Sequence, residues 1–282
     1  MTGHPRVRMV YHSTIGIFMT RPDNKTNVFT DPPKFDYDEV APVIDGEEFF
    51  KVIRSRRSVR LYTKDPIPEA VMRRALDAAL LAPNSSNLQC WEFYWVKNPD
   101  KKAKLVEACL GQPAAKSAQE LVVAVARTNT WNWARKEMLK IFDENEKAAI
   151  KVPAAARDYY EKLVPYVYGQ GPLGVLGLVK KGLVWSLGWF RAIPREPTSR
   201  THLKIWAVKS TALACENYML ALRAQGYDSC PMEGYDSARL RCLLKLPCDA
   251  VPVMVISAGK RAKGGIYGAQ IRFPAKNFIK EV

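Results

Sequence analysis

Ala82-Pro83-Asn84-Ser85-Ser86-Asn87-Leu88-Gln89-Cys90-Trp91 is the stretch on which the reading of this chain turns. Before it, Val71, Ala75, Ala78, Ala79 and Ala82 recur at helical spacing behind Pro66-Ile67-Pro68-Glu69, which predicts a helix through Leu81 that Pro83 stops. After it, Trp91-Glu92-Phe93-Tyr94-Trp95-Val96 is aromatic and β-branched and predicts a strand. The joining loop is packed with short polar side chains. These can satisfy local backbone groups in a turn. They can equally hydrogen-bond the edge of a heteroaromatic ring and a polyhydroxy chain.

Upstream, Asp45 is placed to cap a helix carrying Glu48, Phe49, Phe50, Val52 and Ile53. Arg56-Arg57-Ser58-Val59-Arg60 follows. Three guanidiniums within five residues suit an anion, because arginine donates in a planar fork that matches phosphate oxygens. In extended chain, Arg56, Ser58 and Arg60 share one side. A solvated, basic helix end is the other reading. Residues 1–45 carry five prolines, which predicts an irregular arm.

Downstream, Leu121 to Ala126 predicts a second, fully apolar strand and Trp131 to Ile150 an amphipathic helix. A long helix is expected from Leu203, with Trp206, Leu213, Asn217 and Leu220 on one face and Gly226 ending it. Pro231-Met232-Glu233-Gly234-Tyr235-Asp236 follows a short extended link, then a short helix from Ser237 and a strand over Val251 to Ile256. Glycine there lets the backbone approach a flat ligand, or simply makes a turn. Gln270-Ile271-Arg272-Phe273-Pro274 lies near the end, where Arg272 could close a phosphate site with the first cluster. Helices alternating with few strands predict an α+β or α/β sandwich with a small central sheet.

These four motifs, in this order, resemble the FMN-binding nitroreductase family. That family shows an Arg-x-Ser-x-Arg/Lys segment, a Pro-Ser-Ser-x-Asn-x-Gln-Pro-Trp type loop, a Pro-x-Glu-Gly-Phe/Tyr-Asp segment, and a basic residue shortly before a proline. The match covers about residues 47–127 and 203–274. The resemblance implies a three-layer sandwich with a small central mixed sheet flanked by helices, assembled as a domain-swapped homodimer. An N-terminal arm over 1–45 would precede an FMN-binding domain over 46–282, with a lid or interface insertion at about 128–200. It implies FMN as cofactor, with NADH or NADPH as co-substrate, and hydride transfer by ping-pong kinetics to a small acceptor such as a nitroaromatic or quinone. An enone reductase or reductive dehalogenase of the same fold is the alternative.

By the same resemblance, Arg56, Ser58 and Arg60 match contacts to the phosphate, ribityl chain or pyrimidine edge, with Arg57 between them. Pro83, Asn84, Ser85 and Asn87 match a loop that reaches a flavin held mainly by the other subunit. Met232, Glu233 and Gly234 match the segment facing the reactive ring nitrogen. Arg272 matches a phosphate-binding arginine, and Gln112 matches, at looser spacing, a residue contacting the ring. Cys90 stands where proline is common and Asn84 where serine is common. Gln270 stands where a second basic residue is often found, a loss that Lys260 or Arg261 would have to make good. No catalytic side chain is assigned, since the chemistry belongs mostly to the cofactor.

Other signals compete. The formal net charge is +15, from 43 basic and 28 acidic residues, which favours anionic partners and would suit a nucleic-acid-binding protein. No helix-turn-helix, zinc-finger or RNP signature accompanies the charge, so no nucleic acid is expected. Three histidines and six cysteines without a C-x-x-C pair predict no zinc site. Reduced thiols and the lack of a secretory segment predict a cytoplasmic protein. Gly169-Gln170-Gly171-Pro172-Leu173-Gly174 fits G-x-G-x-x-G, but its prolines and flanks do not fit a dinucleotide site. The apolar segment 173–190 is too short to span a bilayer and holds Lys180-Lys181 at its middle. It reads as a lid or subunit interface, with weak membrane-surface contact as the second reading.

Overall fold

The computed structural model describes residues 40–171, 174–190 and 192–282. The expected arm at 1–45 therefore lies outside the described residues up to position 39. The chain divides into two compact units. Among the described residues one gathers Asp45–Pro83, Trp91–Arg127 and Val208–Val282; the other gathers Asn84–Cys90 and Thr128–Ala207 with residues 40–44.

The first unit is built on a four-stranded sheet. Its strands are β1 (Trp91–Trp95), β2 (Glu120–Arg127), β3 (Asp228–Met232) and β4 (Ala250–Gly259), in the order β1-β2-β4-β3. All three pairings are antiparallel, where a mixed sheet was expected. The parallel element is an isolated bridge between Ser58 and Ser229. The short extended link before Pro231 and the first two residues of the motif, Pro231 and Met232, together form β3. Pro231 is tolerated there because β3 is an edge strand. Register slips by one residue between Ala124 and Val125, opposite Pro252 of β4, which has no N–H to give to a ladder.

β2 is apolar from Leu121 to Ala126 because both its faces are covered. Leu121, Val123 and Val125 pack in one core with Leu105, Ala114, Ala115 and Leu240. These come from α3 (Pro99–Ala108), α4 (Pro113–Ser117) and α10 (Ser237–Leu244). Val122 and Ala124 face the opposite core with Met72, Ala75, Ala79, Ala214, Tyr218 and Leu222. Those residues belong to α2 (Glu69–Leu80) and α9 (Arg200–Ala224). Helix, sheet and helix thus make three layers. The period-two alternation of side chains along β2 is what divides its residues between the two cores.

Two helices depart from the predicted faces. Along α9 the buried residues are Leu203, Ala207, Ser210, Thr211, Ala214, Cys215, Tyr218, Met219 and Leu222, whereas Leu213 is 50% exposed. The buried stripe mixes small residues with large ones, so the large residues alone do not mark it. α1 (Gly46–Ser55) forms as expected, with the Asp45 carboxylate accepting from the Glu48 N–H at 3.1 Å. None of its residues is buried; Phe49, Phe50 and Ile53 are exposed.

The second unit is helical. α5 (Trp131–Lys147), α6 (Ala154–Asp158), a π-helical turn (Tyr159–Leu163) and α7 (Val164–Tyr168) come before α8 (Val175–Leu187). Ala134, Met138, Phe142, Tyr160, Tyr168 and Leu203 enclose Leu88 in its core. α7 is a helix where a dinucleotide fingerprint would need a strand.

Candidate functional site

The segment 56–62 leaves α1 in extended form and is stitched to its surroundings at both ends. The Val59 N–H donates to the Ser229 carbonyl at 3.1 Å, and the Arg60 N–H donates to the Gly265 carbonyl at 2.8 Å. Val59 is fully buried, so its neighbours on the alternate positions turn away from the core. Gly265 must be glycine: a Cβ there would fall 2.5 Å from the Leu61 carbonyl oxygen. That close approach brings the segment beyond residue 265 alongside the arginines.

Arg56, Arg57, Ser58 and Arg60 line one cavity of about 230 Å³ with Gln270, Arg272 and their neighbours from Ile266 to Ile271. Residues more than 200 positions apart in the sequence thus converge. Arg57 donates to the Gly268 carbonyl at 2.6 Å, and the Arg60 guanidinium lies 5.0 Å from the centre of the Tyr267 ring. Arg272 donates to the Ile271 carbonyl at 2.8 Å. Arg56 has a carboxylate 3.7 Å away, that of Glu216. Among the described residues no carboxylate forms an ion pair with Arg57, Arg60 or Arg272. Four cations gathered in a concave surface with a single carboxylate at their edge make an anion site.

Lys260 and Arg261, the candidates for the missing cation, do not line this cavity. Lys260 lies 4.0 Å from the Asp65 carboxylate, and Arg261 lies 3.9 Å from that of Asp228. Gln270 does line it, as an amide in place of a cation.

β3 connects this cavity to the next motif. Ser229 at its start pairs with Ser58, and Glu233 and Gly234 follow its end. Four residues of strand separate Ser229 from Glu233, about 13 Å at the usual rise. Glu233 and Gly234 are exposed, and Gln112 fixes them: its amide Nε2 donates to the Gly234 carbonyl at 2.6 Å. Met232, expected in the site, is 3% exposed and packs in the core. Its side chain faces inward because it lies two residues after Cys230, on the same core side of the pleat.

The loop Asn84–Cys90 belongs to the helical unit. Asn84 turns its carboxamide oxygen back to the Gln89 N–H at 2.8 Å, and Asn87 lies 3.8 Å from the Met138 sulfur. Ser86, Asn87 and Gln89 all have left-handed backbone, with φ of 56°, 47° and 45°, a costly run for non-glycine residues. Tyrosines of the insertion hold it. The Tyr168 hydroxyl lies 2.9 Å from Ser85 Oγ and 3.0 Å from Ser86 Oγ, and the Tyr159 hydroxyl lies 2.6 Å from Ser86 Oγ. Tyr160 donates to the Ser86 carbonyl at 2.9 Å. Burial pushes the Tyr168 phenol up to about 12, so it stays protonated. Sequence reasoning missed these tyrosines; nothing local ties them to a loop more than 70 residues earlier.

The Nitroreductase family model matches residues 53–260. The chain belongs to the nitroreductase family. A relative in Thermus thermophilus, named NADH dehydrogenase, is 29% identical over 224 residues, 79% of this chain and 90% of that one. A protein of Exiguobacterium sibiricum solved in complex with FMN superposes with a TM-score of 0.60 at 24% identity, covering 86% of this nitroreductase-family chain and 100% of that one. An enone reductase of gut-bacterial fatty acid saturation gives a TM-score of 0.59 at 22% identity, covering 85% and 100% of the two chains.

Proposed function

We propose that this nitroreductase-family protein is an FMN-dependent oxidoreductase that uses NADH or NADPH to reduce a small electrophilic acceptor. The observation that carries the reading is the cavity in which Arg56, Arg57, Arg60 and Arg272 meet with Ser58. Its donors fit a mononucleotide phosphate: four guanidiniums, of which those of Arg57, Arg60 and Arg272 have no ion-paired carboxylate among the described residues, a hydroxyl, and an amide from Gln270. FMN, when bound, supplies the hydride carrier between nicotinamide and acceptor. The arginines would grip the phosphate, and Gln112 would hold the Glu233–Gly234 backbone still against the ring edge. No general base is required of the chain.

The assembly proposed is a homodimer in which Pro83, Asn84, Ser85 and Asn87 serve a flavin held by the partner subunit. The uncovered apolar residues of α1, and Ile271, Phe273, Phe278 and Ile279 near the C-terminus, support it. Six free thiols suit a reducing, cytoplasmic setting. A nitroaromatic or quinone is the acceptor class proposed. An enone or halogenated substrate is the second reading, favoured by the fold shared with an enone reductase.

The test is the double variant Arg56→Ala/Arg272→Ala. Each charge-assisted hydrogen bond contributes about 1.5–3 kcal/mol, so FMN affinity should fall at least about a hundredfold in a flavin-fluorescence titration. A variant that purifies with full flavin occupancy would remove the phosphate-site assignment. Anaerobic stopped-flow reoxidation with one member of each acceptor class then sorts the substrates.

A further inference from the structure

α8 is amphipathic with its apolar side outward. Leu178, Val179, Leu183, Trp185 and Trp189 are between 46% and 74% exposed, and Phe190 just beyond the helix is 88% exposed. The inward side carries Gly177 and Lys180, which is 3% exposed. Lys180 Nζ donates to the Val167 carbonyl at 3.1 Å and to the Gly169 carbonyl. The cation that would interrupt the outer face is thereby turned into the protein. Lys181 stays exposed at its edge. Gly177 permits this seating, since a Cβ there would fall 2.3 Å from the Gln170 amide oxygen and 2.7 Å from the Thr198 carbonyl. No described helix is long and apolar enough to cross a membrane.

We propose that the outer face of α8 lies on the surface of an anionic lipid bilayer, with its tryptophans at headgroup depth and its axis in the membrane plane. Three observations select lipid over a second copy of the chain. The exposed cations beside the outer face are Lys181 and Arg195, whose guanidinium donates to the Gly188 carbonyl at the end of α8 at 3.0 Å, and the helix itself carries no carboxylate. A two-fold contact through α8 would set these cations against their own copies, whereas anionic headgroups supply the opposite sign. Trp185 and Trp189 stand edge to face with centroids 6.1 Å apart at one end of the face, and indoles favour the interface. The net charge of +15 draws the whole chain to the same surface. The inference is independent of what the arginine cavity binds.

Flotation of the full-length protein with phosphatidylcholine vesicles containing phosphatidylglycerol is the test. Wild-type protein should float, with a blue shift in tryptophan emission, and should stay down with phosphatidylcholine alone or in high salt. Leu178→Glu/Trp189→Glu changes two exposed positions and should weaken binding at least about tenfold with unaltered circular dichroism. Lys181→Glu should weaken it by a smaller factor and flatten the salt dependence. The proposal is overturned if wild-type protein stays down with anionic vesicles, or if the double variant floats equally well. It is also overturned if light scattering shows the double variant at half the wild-type mass while neither binds vesicles, since the face would then join two copies. Flavin absorbance measured on the same samples reports separately on the cofactor reading.

Discussion

At the scale of the residue, the arginines were legible and the tyrosines were not. Arg-x-Ser-x-Arg could as well end a solvated helix, and it took its meaning from the three other motifs that follow it in order. Tyr159 and Tyr168 act through hydroxyls whose partners, Ser85 and Ser86, are set by folding alone. Tyr168→Phe removes one phenol shared by two serines. A neutral buried hydrogen bond contributes about 0.5–1.5 kcal/mol, so the variant should lose about 1–2 kcal/mol in a urea titration. Because Ser85 and Ser86 belong to the left-handed loop, that loss should come with faster amide exchange over residues 84–90. An unchanged exchange pattern would mean that Leu88 packing alone holds the loop.

Elements were predicted better by their ends than by their faces. Asp45, Pro68 and Gly226 mark helix boundaries by local stereochemistry, which sequence carries directly. The buried side of α9 is carried by small residues as much as by large ones, so Ala207, Ala214 and Cys215 are fully buried while Leu213 is exposed. β3 was hidden because Pro231 and polar Asp228 and Ser229 look like loop; Asp228 is instead a buried acid paired to Arg223 at 2.9 Å. A similar pair fastens three strands. Arg127, at the end of β2, meets Asp249 before β4 at 3.0 Å and Glu92 of β1. The Asp249 side chain is 8% exposed, so Arg127→Ala leaves a buried charge with its main partner gone. Breaking such a pair costs about 3–5 kcal/mol, and a large drop in thermal midpoint is expected by calorimetry.

α8 offers a second prediction at this scale. Burial lowers the Lys180 ammonium from 10.5 to about 8. Between about pH 8 and 10.5 the unfolded chain keeps a proton that the folded chain has released. Stability therefore rises with pH across that window, and the increment disappears as pH falls through about 8. Lys180→Met should flatten this rise. Urea midpoints taken at both ends of the window on both proteins will show it, and parallel slopes would place the titrating group elsewhere.

For the whole molecule, a sandwich with a small central sheet followed from the order of strands and helices and its three layers from the family resemblance, while the division into two units followed from neither. Asn84–Cys90 joins Thr128–Ala207 in one unit although β1 and β2 intervene in the chain. That grouping rests on Leu88 inserting among Ala134, Tyr160 and Leu203, contacts with no local signature.

The placement of sulfur has its own consequence. Quinones and enones alkylate thiolates as readily as they accept hydride, so a protein that handles them risks consuming itself. Cys90, Cys109, Cys215 and Cys230 are all buried, and burial pushes the Cys109 and Cys215 thiols up to about 11 and about 12. Those sulfurs stay protonated and hence poor nucleophiles at neutral pH. Cys242 and Cys248 lie on the surface. Maleimide labelling read by intact mass should add two adducts to the native chain and six after denaturation, the inner four being sheltered from the very reagents the protein is proposed to reduce.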